Sequence, residues 1–169
     1  EEERAGYAGI IEEEANRLTR LLDDLLDLSV LENGQVVLDT RVGQLGDLLD
    51  RAIAAAGVRE RLRIQRDEAR EAITLDTDLD RLTQVFINII ANAGKYCEAD
   101  SPLLTIRAEE QEGGLIVDFV DNGFGIPSDR QAVIFEKFAR IGETKAGGAG
   151  LGLAICREIM ARLGGSISY

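Results

Sequence analysis

Apolar positions in the first fifth of the chain recur with a helical period. Ile11, Ala15, Leu18, Leu22 and Leu25 follow alternating steps of four and three, the spacing of a bundle seam. Residues 7–32 contain no Pro and, after Gly9, no Gly, so the spacing predicts one unbroken helix. Leu21, Leu28 and Leu31 widen the stripe, and a stripe that wide needs more than one neighbour, as in a bundle or a dimer. Gly34, after Asn33, is the expected stop.

Beyond Gly34 short strands alternate with helices. Val36, Val37 and Leu38 suggest a strand, and residues 45–56 an amphipathic helix ending at Gly57. Leu62 to Ile64 and Ile73 to Leu75 read as short strands. Residues 78–96 form the strongest helical pattern, with Asp78 as N-cap. Residues 103–108 and 115–121 read as a strand pair around Gly113 and Gly114. A short helix is expected near 128–135, a flexible stretch over 139–149, a last helix from about Gly150 to Leu163, and the start of a strand at 166–169. The class this implies is α+β, one mixed sheet faced by helices behind a helical arm.

Composition narrows the options. A chain of 169 residues has room for one well-packed domain and a small appendage, and 30% charged residues suit a soluble surface. No apolar run approaches the roughly 18 residues that cross a bilayer, and the acidic N-terminus does not read as a signal peptide. A net charge of −12 argues against a nucleic-acid or anionic-membrane partner. Cys97 and Cys156 lack metal-ligand spacing and read as free, buried thiols of a reducing cytosol, hence a cytoplasmic location. There is no histidine.

Three segments carry chemistry. In the helix over 78–96, Asn88, Asn92 and Lys95 share one face of an otherwise apolar cylinder. A buried amide without a partner costs about 1–3 kcal/mol, so the two asparagines require something to bond: neighbouring backbone, or a metal–phosphate ligand. Asp121 ends an apolar strand and precedes Asn122-Gly123-Phe124-Gly125-Ile126-Pro127. That run is ordinary turn chemistry, or a carboxylate placed to accept from an exocyclic amine. Gly147-Gly148-Ala149-Gly150-Leu151-Gly152-Leu153 leads into the last helix, as a hinge or as a phosphate cradle at a helix N-terminus. It lacks the Gly-Lys-Ser/Thr of a P-loop.

In this order the three segments resemble the N, G1 and G2 boxes of the histidine-kinase branch of the GHKL ATPase superfamily, which also includes gyrase-, Hsp90- and MutL-type ATPases. Ile134-Phe135-Glu136-Lys137-Phe138-Ala139-Arg140 resembles the F box. The resemblance spans essentially the whole chain. It implies a Bergerat-type two-layer α/β sandwich over 35–169, preceded by a long bundle or coiled-coil helix over 1–34. That helix resembles the second helix of the dimerisation and histidine-phosphotransfer hairpin.

The resemblance implies ATP and Mg²⁺ as ligands. Asn92 would coordinate the metal, with Asn88 lining the same site; Lys95 would meet phosphate and Tyr96 flank the nucleotide. Asp121 would read the adenine amine, with Gly123, Gly125 and Ile126 allowing close approach. Arg140 and Lys145 would compensate γ-phosphate charge; Gly148, Gly150 and Gly152 would shape the lid, with Leu151 and Leu153 beneath. Phe135 and Phe138 would anchor that lid, and Lys137 would be solvated. Catalytic roles fall to Asn88, Lys95 and Arg140. The implied partners are the histidine-bearing helix of a parent kinase, a response-regulator receiver domain and a second copy in a homodimer.

The pattern departs from a complete kinase in lacking the accepting histidine and its acidic neighbour, so self-phosphorylation is not expected of this chain. A further edge strand or hairpin is expected to be missing after Tyr169. Water-activating ATPases of the superfamily carry Glu where Asn88 stands, and an amide cannot take that proton. A nucleotide-binding scaffold without kinase activity is the other reading.

Overall fold

A computed structural model describes residues 2–34, 36–139 and 149–169. Helix α1 (Glu2–Glu32) ends where Asn33 N–H bonds Ser29 C=O and Gly34 takes φ +68°. Then follow β1 (Thr40–Gln44), α2 (Leu45–Ala56), β2 (Arg63–Arg66), β3 (Thr74–Asp78) and α3 (Leu79–Tyr96). The chain continues through β4 (Leu103–Gln111), β5 (Gly114–Asp121) and α4 (Gly152–Arg162).

Two sheets replace the single expected one. β2 and β4 run parallel and β4 and β5 antiparallel, while β1 and β3 pair antiparallel by themselves. No strand forms over 36–38. The β1–β3 ladder opens at Thr40 opposite Asp78, and the Asp78 carboxylate takes the Asp39 N–H at 3.0 Å, closing the ladder there. Val37, 92% exposed, has no apolar face to join. The same carboxylate accepts Arg81 N–H at 3.0 Å and caps α3 as expected.

One face of the β2–β4–β5 sheet is covered. Leu104, Ile106 and Ala108 are buried with Leu45, Leu48, Leu49 and Ala52 of α2, Val85, Phe86 and Ile90 of α3, and Ile155 and Ile159 of α4. Phe86 and Phe119 meet at 5.4 Å between ring centroids. On the opposite face Ile116 and Val120 are exposed, so the architecture has two layers, an α+β sandwich.

The end of α1 belongs to this core. Leu28 and Leu31 are buried, Arg81 and Gln84 of α3 hold the Asp27 carboxylate at 2.8 and 2.7 Å, and Arg162 of α4 donates to Leu31 C=O at 2.7 Å. A cation on the last carbonyls of a helix also complements its dipole. Lys137 is exposed as expected and also pairs with Glu32 at 2.5 Å.

Two smaller expectations fail. Between 128 and 135 only a 3₁₀ turn forms, Val133–Phe135, because Arg130 N–H closes on Pro127 C=O and Val133 N–H on Arg130 C=O, three residues apart. Residues 166–169 form no strand, and Tyr169 turns its hydroxyl onto the segment after β5.

Candidate functional site

The α3 stripe emerges at the rim of the core. Asn88, Asn92 and Lys95 are half-buried, whereas full burial was expected of the helix, because α4 covers only part of that face. Asn88 Nδ2 donates to Gly152 C=O at 3.3 Å, which sets the asparagine stripe against the start of α4. Its amide nitrogen therefore bonds neighbouring backbone, and its oxygen is the acceptor a cation could use. Lys95 Nζ lies 5.0 Å from the Tyr96 ring centroid, a cation–π distance. Cys156, beneath Asn88, is buried, and burial pushes its thiol up to about 12.

The G1-like turn begins where β5 ends. Asp121 Oδ1 accepts Gly123 N–H at 2.7 Å, and a Cβ at Gly123 would stand 2.8 Å from that oxygen. A side chain at 123 would therefore displace the Asp121 carboxylate from this bond. Gly125 takes φ +74°, and Ile126 is held at both ends: its N–H by Tyr169 Oη and its C=O by Gln131 Nε2, each at 2.9 Å.

The G2-like segment is described from Ala149 onward. Gly150 has φ +71°, and a Cβ there would lie 2.6 Å from Ala139 C=O. Its own carbonyl accepts Phe138 N–H at 2.9 Å, drawing the residues before and after the undescribed segment together. Phe138 itself has φ +61°, uncommon for a side chain with a Cβ. At Gly152 an added Cβ would make only ordinary contact, 3.8 Å from Asn88. Leu151 is buried and Leu153 half-buried. α4 starts at Gly152 without a side-chain cap.

Arg140, Lys145 and Gly148 lie outside the described residues. Phe135 is buried as an anchor should be, whereas Phe138 is 57% exposed. Both cysteines are free, and Cys97 is half-buried rather than buried, because it caps the C-terminal end of α3. Sequence reasoning did not single out Gln131 or Tyr169. Neither carries a local signal, since their role comes from contacts five and 43 positions away. Among the described residues no three His, Cys, Asp or Glu cluster as a metal site, and no helix is long and apolar enough to cross a membrane.

A family profile described as "Histidine kinase-, DNA gyrase B-, and HSP90-like ATPase" matches residues 77–169. The alginate biosynthesis sensor protein KinB of Pseudomonas aeruginosa is 33% identical over 171 residues, covering 99% of this chain and 28% of that protein. The sensor protein kinase WalK of Staphylococcus aureus is 31% identical over 166 residues, 95% of this chain and 40% of that protein. The chain thus spans well under half the length of these relatives. Among solved structures, the Acinetobacter baumannii histidine kinase AdeS superposes with TM-score 0.77 at 27% identity, over 93% of this chain and 73% of that one. Full-length ShkA in complex with AMPPNP gives 0.80 at 26%, over 98% and 35%.

Proposed function

The chain belongs to the histidine kinase-, DNA gyrase B- and HSP90-like ATPase family, on its sensor histidine kinase side, and from that premise we propose that it is the ATP-binding catalytic part of a sensor kinase, passing the γ-phosphoryl group to a histidine carried elsewhere. None of the 169 residues is histidine, so the acceptor belongs to a separate segment or chain. Residues 35–169 form the catalytic domain and 1–34 the second helix of the hairpin that presents the histidine. The cytosol is the expected compartment, with a receiver domain downstream.

The observation that carries this reading is the bond from Asn88 Nδ2 to Gly152 C=O at 3.3 Å. It holds together two segments 64 positions apart, as a shared phosphate site would need. It also favours the kinase over a water-activating ATPase, because a glutamate in that place would face the carbonyl with a second acceptor.

Each residue then has a task. Asn92 and Asn88 offer neutral amide oxygens, fitting a hard cation whose remaining ligands are phosphates and water. Bound Mg²⁺ would neutralise charge on the transferring phosphates. Lys95 adds an ammonium on the same face, and Arg140 and Lys145 belong at the γ-phosphate. Asp121 accepts from the adenine amine; Gly123, Gly125 and Ile126 let the base approach, and Tyr96 flanks it. Gly148, Gly150, Gly152, Leu151 and Leu153 shape and support the segment over the phosphates. Because phosphoryl transfer offers the protein little covalent work, positioning and charge compensation carry the catalysis.

Titration calorimetry tests the nucleotide site. ATP is expected to bind only with Mg²⁺, and Asp121→Asn to weaken it about tenfold to a hundredfold, as for a lost hydrogen bond to a charged group. Equal affinity in the variant contradicts the assignment.

A further inference from the structure

We propose that Asn122 is a positioning residue that holds Asp121 at the base-binding end of the site by standing in for one peptide unit of the β4–β5 ladder. The proposal rests on the nucleotide reading above. The ladder runs in regular register from Gln111 opposite Gly114 to Leu104 opposite Asp121. One step further, residue 122 faces Leu103, and a hydrogen-bonded antiparallel pair exchanges two main-chain bonds. Only one of these is made by main chain: Asn122 N–H donates to Leu103 C=O at 3.1 Å. The Leu103 N–H goes instead to the Asn122 side-chain Oδ1, at 2.8 Å.

This substitution releases the main-chain carbonyl of residue 122 from the ladder. The chain can then leave the sheet immediately after Asp121 and turn at Gly123, while residue 122 stays pinned. The other end of the amide is used as well, Nδ2 donating to Ser101 C=O at 3.1 Å. Cys97, directly after Tyr96 at the end of α3, gives its S–H to the same Oδ1 at 3.2 Å. One side chain thus ties the end of α3 and the start of β4 to the turn that carries the Asp121 carboxylate. An asparagine serving only turn chemistry would bond within its own turn. This side chain bonds to Ser101, Leu103 and Cys97, and to none of residues 123–127.

Of the side chains, only asparagine and glutamine present a carbonyl and an N–H₂ in the plane of a peptide unit, and glutamine is longer by one methylene. Alanine offers neither group, and aspartate would set a second acceptor against Ser101 C=O. The hydrogen bonds of Asn122 go to Cys97, Ser101 and Leu103, and none goes to Asn88, Asn92 or Gly152. Its loss should therefore disturb recognition of the base and leave the phosphate end alone.

The test compares binding of Mg·ATP and Mg·inosine triphosphate, whose base carries a carbonyl where adenine carries its amine. Calorimetry is run on the wild type, Asp121→Asn and Asn122→Ala. The wild type is expected to prefer ATP. Asn122→Ala should lose about tenfold in ATP affinity, the scale of one well-placed hydrogen bond, with inosine triphosphate unchanged. A merely structural role would lower both nucleotides together, and that result overturns the proposal. So does an undiminished preference for ATP in Asn122→Ala. If the preference disappears in Asp121→Asn but not in Asn122→Ala, positioning fails while the nucleotide site stands. A wild type that binds neither nucleotide removes both. Should Asn122→Ala not fold, Asn122→Leu, which keeps the bulk and none of the bonds, is read the same way.

Discussion

Asp78 performs two tasks with one carboxylate, capping α3 through Arg81 N–H and closing the β1–β3 ladder through Asp39 N–H. Burial pushes its pKa up, but the N–H groups of Arg81, Asp39 and Asp80 and the charge of Arg81 outweigh it, so the folded value lies below the ordinary 3.8. A lowered folded pKa means stability present above 3.8 and lost as pH falls through the folded value. Asp78→Ala should cost about 1–2 kcal/mol at neutral pH in urea unfolding, the range for a lost cap. The gap between variant and wild type should close in strong acid, and a gap independent of pH would contradict the role. Glu71 runs the other way: burial pushes its carboxyl above 4.5 despite Arg66 alongside, so its ionisation lowers stability as pH rises through the folded value. The cap at Asp78 was legible in sequence because an N-cap is local. The ladder task was not, since Asp39 lies 39 positions away.

Along α1 one apolar stripe serves two surfaces. Its last turns, at Leu28 and Leu31, enter the core, while Leu18 and Leu22 farther up are 63% and 57% exposed. Periodicity shows that a stripe exists and is wide, but where it divides depends on α3 and α4, which arrive much later in the chain. At its docked end apolar burial outweighs charge. Leu31 is 1% exposed, and Leu31→Ala should cost about 2–5 kcal/mol. Lys137 and Glu32 are both partly exposed, so Lys137→Ala should cost less than about 1 kcal/mol. Chemical unfolding of both variants measures the difference, and equal losses would show that the ion pair holds α1 as strongly as the core does. The missed strand at 36–38 has the same origin. Val36 to Leu38 suit a strand by type, but the register that Asp78 imposes starts the ladder at Thr40.

At the scale of the whole molecule the leucines exposed on α1 ask for a partner, which we assign to a second copy. Sedimentation should show association that rises with concentration and is abolished by Leu18→Glu with Leu22→Glu; a monomer at every concentration would count against the dimer. The proposed nucleotide site could be read from the sequence because three segments, at 88–95, 121–126 and 147–153, carry their motifs in local spacing. The contacts that hold them in place were not: Asn88 to Gly152 joins two of the segments, while Tyr169 to Ile126 and Asn122 to Leu103 tie the 121–126 turn to the rest of the fold. The central claim is that this assembled site passes a phosphoryl group to a histidine that the chain itself lacks. Incubation with γ-labelled ATP, Mg²⁺ and a separate folded polypeptide bearing a histidine-phosphotransfer helix tests it most directly. Acid-labile label is expected on that histidine and is lost in Asp121→Asn. An acceptor that stays unlabelled, although it associates with this chain and the chain binds ATP, would contradict it.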